Sequence, residues 1–162
     1  MDDSHKILCE NLFQSANSFL KDYGYVQQCF FILKDNIINV LILPAQLNLI
    51  EDEDYRKRAE FSVAMKACKD MQGDVVLHLS EAWIVDGLKE ELDNFKGKPH
   101  EHPNRKEAVN IMYLHTNGER KLLSGEIIKL SDSNQRILKE PQWITIIDIP
   151  LLEEQSEDHI LH

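Results

Sequence analysis

The run EAVNIMYLHTNGERKLLSGEIIKL, from Glu107 to Leu130, constrains the fold more than any other stretch. Two apolar-rich segments flank Asn117-Gly118, a dipeptide whose members both tolerate positive φ. That pair predicts a two-residue type I′ connection between antiparallel strands. In that register Glu107 and Glu126 fall nearly opposite one another on one face. A chain built on such a hairpin needs more strands to extend the sheet and helices to cover its apolar face.

A second hairpin precedes it. In YVQQCFFILKDNIINVLIL, Asp35-Asn36 suit a tight turn. Pairing Lys34 with Ile37 aligns Cys29, Phe31, Leu33, Ile38, Val40 and Ile42, all apolar, and predicts that they form the core face. The opposite face mixes Phe30, Ile32 and Leu41 with Gln28 and Asn39, and Pro44 ends the hairpin. DVVLHLSEAWIVDG predicts a strand carrying Val75, Leu77, Leu79, Glu81 and Trp83 on one side, and QWITIIDIP a final strand. SDSNQRILKEP reads as a loop.

Two segments have helical periodicity. Ile7, Leu8, Leu12, Phe13, Ala16, Phe19, Leu20 and Tyr23 predict a helix from about Ser4 to Tyr23, stopped by Gly24. Tyr55, Ala59, Val63, Ala67 and Met71 form an i+4 row, with Phe61, Ala64 and Cys68 beside it. They predict a second helix over 52–71, closed by Gly73. Its first turn places Asp52, Glu53 and Asp54 four residues before Arg56, Lys57 and Arg58, the favourable order for helical ion pairs. Leu88, Leu92 and Phe95 suggest a short further helix. The expectation is an α+β, two-layer domain over residues 1–150, with a mainly antiparallel sheet of about five to six strands and two main helices on one face. Residues 151–162 read as an acidic C-terminal tail. This helix–hairpin–helix–meander order is similar to that of profilin-like and roadblock-like folds, which implies nothing specific about function.

Composition narrows the function classes. The chain of 162 residues has 28 acidic and 18 basic side chains, a formal charge of −10. That field repels phosphate backbones and anionic lipid, so neither nucleic acid nor membrane is an expected partner. Cys9, Cys29 and Cys68 form no C-x-x-C pair and read as buried free thiols. With no apolar leader and no membrane-length apolar run, the expected location is the cytoplasm.

The sequence lacks phosphate-binding glycine loops, H-E-x-x-H and G-x-S-x-G. What remains is a polar set around KPHEHPNRKEA and HLSEAW. Glu81 interrupts an apolar strand face, where an unanswered carboxylate is costly or holds its proton. Arg105 is the nearest partner in sequence, and Glu107, Ser80 and Glu126 complete a possible pocket or structural hydrogen-bond network. His78, His100, His102 and His115 are weak metal candidates whose spacing fits no ligand pattern; no cofactor is predicted, and a zinc ion is the alternative if three such groups met at one point.

Ser80-Glu81-Ala82-Trp83 followed by Pro103-x-Arg105-x-Glu107-Ala108 resembles a pattern in small uncharacterised bacterial and phage proteins. The resemblance covers about the middle third of the chain and implies that the two stretches lie together in space, with no activity attached. The leading expectation is a non-catalytic module that binds a protein partner or self-associates, including as a homodimer. The alternative is a small enzyme or ligand-binding protein using Glu81, Arg105, Glu107 and the histidines at 100 and 102.

Overall fold

The computed structural model describes residues 1–85 and 89–144, with the side chains of residues 89 and 92 also outside the description. The expected tail, the contribution of Leu88 and Leu92 to a helical stripe, and the last part of the final strand lie outside the described residues. The chain is α+β with an antiparallel sheet. The described strands are β1 (Cys29–Lys34), β2 (Ile37–Leu41), β3 (Val75–Val85), β4 (Arg105–His115), β5 (Arg120–Lys129), β6 (Arg136–Leu138) and β7 (Gln142–Ile144). They run in the order β2–β1–β3–β4–β5–β6, with β7 also paired to β5. The helices are α1 (Asp3–Tyr23), α2 (Glu53–Asp70) and the short α3 (Lys89–Asn94). The chain divides into two compact units.

One unit contains residues 1–28, 79–111 and 122–144. Asp2 caps α1 by accepting from the Ser4 N–H, and Gly24 closes it at φ 79°. The helix buries Cys9, Phe13, Ala16 and Leu20, one face of the predicted stripe. It packs along β6, and Asn17 Oδ1 accepts from the Leu138 N–H at 3.3 Å. Gly125 lies where a Cβ would strike the Phe13 ring, so a glycine lets helix and strand approach. The segment read as a loop contains β6, which pairs with β5 through Lys129↔Arg136.

The other unit, among described residues, contains 29–78 and 112–121. The first hairpin has the predicted register, Lys34↔Ile37, and Asp35 and Asn36 take φ 50° and 62°, as a type I′ turn requires. The expected core face is corrected, however. Phe30, Ile32, Ala64, Cys68, Val76 and Leu114 form the core beneath α2, joined by Leu41, Phe61 and Met112. Phe31 and Leu33 are buried too, because β1 is an inner strand covered on both faces. Their partners Ile38 and Val40 on the edge strand β2 are exposed, as is Ile42 beyond it. Within α2, Ala64 and Cys68 are the fully covered contacts, whereas Tyr55, placed in the packing row by its spacing, faces solvent. Gln72, not Gly73, takes the left-handed position after α2, at φ 55°. Gly73 is needed for space, since a Cβ there would come within 2.6 Å of Ile32 Cγ2.

The Asn117-Gly118 connection differs from expectation by one residue. The His115 N–H donates to the Glu119 carbonyl and the Gly118 N–H to the His115 carbonyl, each at 2.9 Å. Gly118 has φ 94° and Asn117 is not at positive φ. This is a three-residue loop with a glycine bulge, not a type I′ turn. Pairing His115 with Glu119 puts Asn110 opposite Ser124, and those side chains do bond, at 2.6 Å. A one-residue slip flips every side chain of one strand. Glu107 and Glu126 therefore lie on opposite faces instead of sharing one.

Candidate functional site

Glu81 is answered, but not by Arg105. Arg136 Nη2 donates to Glu81 Oε2 at 3.0 Å and Nη1 to Oε1 at 3.3 Å, a two-pronged pairing. Glu81 Oε1 also accepts from the Val26 N–H at 2.7 Å. The same guanidinium donates to the Gly24 carbonyl at 2.8 Å and reaches Glu107 Oε2 at 3.4 Å. One arginine thus joins the end of α1, β3, β4 and β6. Its pKa is raised, first by the hydrogen bonds to Glu81, and both side chains are less than a third exposed. Sequence proximity misses Arg136 because 55 residues separate it from Glu81. The legible signal was the apolar pair Ile137-Leu138 behind Arg136 and the turn-forming Ser131-Asp132-Ser133-Asn134, a short strand with its charged end next to the turn.

Arg105 instead lies with its guanidinium carbon 5.4 Å from the centre of the Trp83 ring, and Nη1 donates to the His102 carbonyl. The SEAW and PNRKEA stretches meet at this contact. Glu126 contacts Lys139 at 3.0 Å and Lys106 at 3.9 Å. Ser80 is half-buried on β3. Glu81, Glu107 and Arg136 therefore form one group; Glu126, Arg105 and Ser80 stand outside it.

The KPHEHPNRKEA stretch is pinned by its own bonds. Glu101 Oε2 accepts from the Lys98 N–H at 2.7 Å, and His102 Nδ1 from the Asn104 N–H at 3.0 Å. The His102 ring meets Phe95 edge-on, while His100 is exposed beside Glu101. In the other unit, His115 Nδ1 accepts from the Asn117 N–H at 3.0 Å, holding the connection there. Among the described residues no three of His, Cys, Asp and Glu gather as a metal centre would require.

His78 lies in the core beneath α2. Its ring stacks on Phe30 at 4.3 Å and meets Phe61 edge-on at 4.7 Å. The buried Nε2 has no hydrogen-bond partner among the described residues. Burial, with Lys57 adding a smaller repulsion, pulls its pKa down to about 4. Burial also pushes the Cys9 thiol up to about 12 and raises Cys29 and Cys68, which keeps all three protonated and poorly nucleophilic. An open depression of about 460 Å³ borders the first hairpin turn, lined by Lys34, Asp35, Asn39, Asp70 and Gln72 among others. It holds no nucleophile–base pair.

The largest departure from a covered surface is apolar. Val40 is 64% exposed and Ile42 89%, and Ile38 joins them on the same face. Ile37 and Leu49 nearby in sequence are exposed as well. Among the described residues β2 has no strand on its outer side. In a two-residue hairpin the residues flanking the turn exchange both backbone bonds. The N–H and C=O groups of Ile37, Asn39 and Leu41 thus point to β1, and those of Ile38 and Val40 point outward.

No helix among the described residues is long and apolar enough to cross a membrane. Searches of protein-family models, curated proteins and solved structures found no match to this chain.

Proposed function

We propose that the protein is a non-catalytic protein-interaction module and that β2 is its binding edge. The observation that carries this reading is the exposed row Ile38, Val40 and Ile42 on a strand whose outer backbone groups are unpaired by any described strand. Edge strands of monomeric proteins are ordinarily blunted by inward charges, proline or a bulge. Between Ile37 and Leu43 this strand has none of the first two, and its pairing with β1 is unbroken. Burying each of the three side chains fully would contribute about 1.5–3 kcal/mol, which a partner strand adding to the sheet would recover. The polar groups around Glu81 support the same reading from the other side, since both oxygens of Glu81 are already engaged by protein donors.

Amide hydrogen exchange tests this. In dilute protein, the N–H groups of Ile38 and Val40 should exchange far faster than those of Phe31 and Leu33. Slow exchange at Ile38 and Val40 in a dilute monomer would mean that the same chain already covers the edge, and the reading would fall. Location in the cytoplasm belongs to this proposal and is tested by fractionation of cells expressing the full chain.

A further inference from the structure

We infer that the partner of β2 is a second copy of this chain, joined strand to strand about a two-fold axis at Val40. The inference rests on the reading of β2 as a binding edge and names its occupant. The first argument is charge. Each copy carries −10, so two copies repel over most of their surface. The run Asn36–Ile50 contains no Asp, Glu, Lys or Arg and is the longest uncharged stretch of the chain. It brings the exposed edge, Leu49 and the backbone groups that no described strand pairs together where a like-charged copy meets least repulsion.

The second argument is register. Outward N–H and C=O groups recur at Ile38, Val40 and, one step on, Ile42. In an antiparallel pair, such residues must face one another to exchange bonds. Centring the axis on Val40 places Val40 opposite its own copy and Ile38 opposite Ile42 of the second copy. Every outward group from Ile38 to Ile42 then finds a partner, and the three exposed apolar side chains meet on one face. Pro44, which has no N–H, and the turn at Asp35-Asn36 bound the pairing. In this register Asp35 falls opposite Ala45 of the second copy, so no charged residue opposes a like charge. The patch is self-complementary, as a two-fold interface must be.

The test is cysteine cross-linking of the full chain under mild oxidation, with light scattering of the wild-type protein over a range of concentrations. Opposed residues in a bonded antiparallel pair have Cα atoms about 5.5 Å apart, within reach of a disulfide. Val40→Cys should give a disulfide-linked dimer as the major species. Ile38→Cys alone and wild type should give at least tenfold less, and Ile38→Cys mixed with Ile42→Cys should give the heterodimer. Light scattering should show a concentration-dependent dimer that Val40→Lys abolishes. Equal cross-linking of Val40→Cys and Ile38→Cys would overturn the register, and with it the two-fold strand pairing. A strict monomer at every concentration would overturn the second copy as occupant. If Ile38 and Val40 still exchange rapidly in that monomer, the binding-edge reading survives with a different protein as partner; if they are protected, both readings fall.

Discussion

The Glu81–Arg136–Glu107 group and the β2 edge are two places among the described residues where the chain departs from apolar-inside, polar-outside patterning, and they depart in opposite ways. The first puts charges into partial cover and answers each one: both Glu81 oxygens and the Arg136 guanidinium bond to protein groups. The second leaves apolar side chains and backbone groups unanswered by any described residue. A satisfied polar group under cover holds a fold together, because removing one member strands the others. An unsatisfied apolar edge does nothing for the isolated fold. It is the surface that the proposed partner would cover. The difference teaches that a conspicuous polar cluster can be fully accounted for by its own hydrogen bonds, while a plain apolar strand is what the fold leaves uncovered.

The sharpest way to break that contrast is to remove Arg136. Arg136→Met leaves the Glu81 carboxylate half-covered with only the Val26 N–H, and the Gly24 carbonyl without its donor. The expected loss is about 3 kcal/mol, the low end for a broken covered ion pair because both partners keep some exposure. It is read as a shift of the urea midpoint at unchanged slope. The double variant Glu81→Leu/Arg136→Met should recover a large part of that loss, since no lone charge remains. A cost below about 0.5 kcal/mol for the single variant would put the group with ordinary surface ion pairs, leaving its side chains free to serve a ligand.

His78 sharpens the comparison from within the core, where its buried Nε2 has no hydrogen-bond partner among the described residues. Its folded pKa, about 4, lies below its ordinary 6.5. Between these values the unfolded chain binds more protons than the folded one, so stability rises with pH. The contribution is fully present above pH 6.5 and is lost as the pH falls toward 4, about 2 kcal/mol of it by pH 5. Urea titrations at pH 7 and pH 5 measure the loss, and His78→Leu should remove that part of it. An equal pH dependence in the variant would mean the carboxylates, not His78, set the acid sensitivity.

What was legible in the sequence divides along physical lines. Local signals read well: the span of α1 and its stop at Gly24, the turn at Asp35-Asn36 with its register, and the class of fold that hairpins and amphipathic helices imply. Burial of the first hairpin did not, because alternation shows which residues share a face and not which face a helix will cover. Ile38, Val40 and Ile42 alternate as a core strand would, yet β2 is at the edge. The Asn117-Gly118 loop misled by one residue because His115 supplies an acceptor for the Asn117 N–H and Asn117 Oδ1 accepts from the Glu119 N–H. Those side-chain bonds favour the three-residue loop over the backbone preference of the dipeptide. Of the candidate site, Glu81 was legible as a carboxylate on an apolar strand face that demands an answer, and it and Glu107 both contact Arg136. Arg136 was hidden in a segment rich in turn formers, and contacts across that sequence distance leave no local pattern.

The smallest expected effect is the one most diagnostic of the β2 edge. Val40→Lys and Ile42→Lys alter side chains that are 64% and 89% exposed, so each should change stability by less than about 0.5 kcal/mol in dilute protein. Ile32→Ala, on the covered face of the same hairpin, sets the scale at about 2–5 kcal/mol. Lysine on an edge strand also opposes strand addition. The pair of results expected is therefore an unchanged urea midpoint together with lost association. If either lysine substitution lowers the midpoint as much as a core truncation, those side chains are covered within the folded chain, and the contrast between an answered polar group and an unanswered apolar edge dissolves.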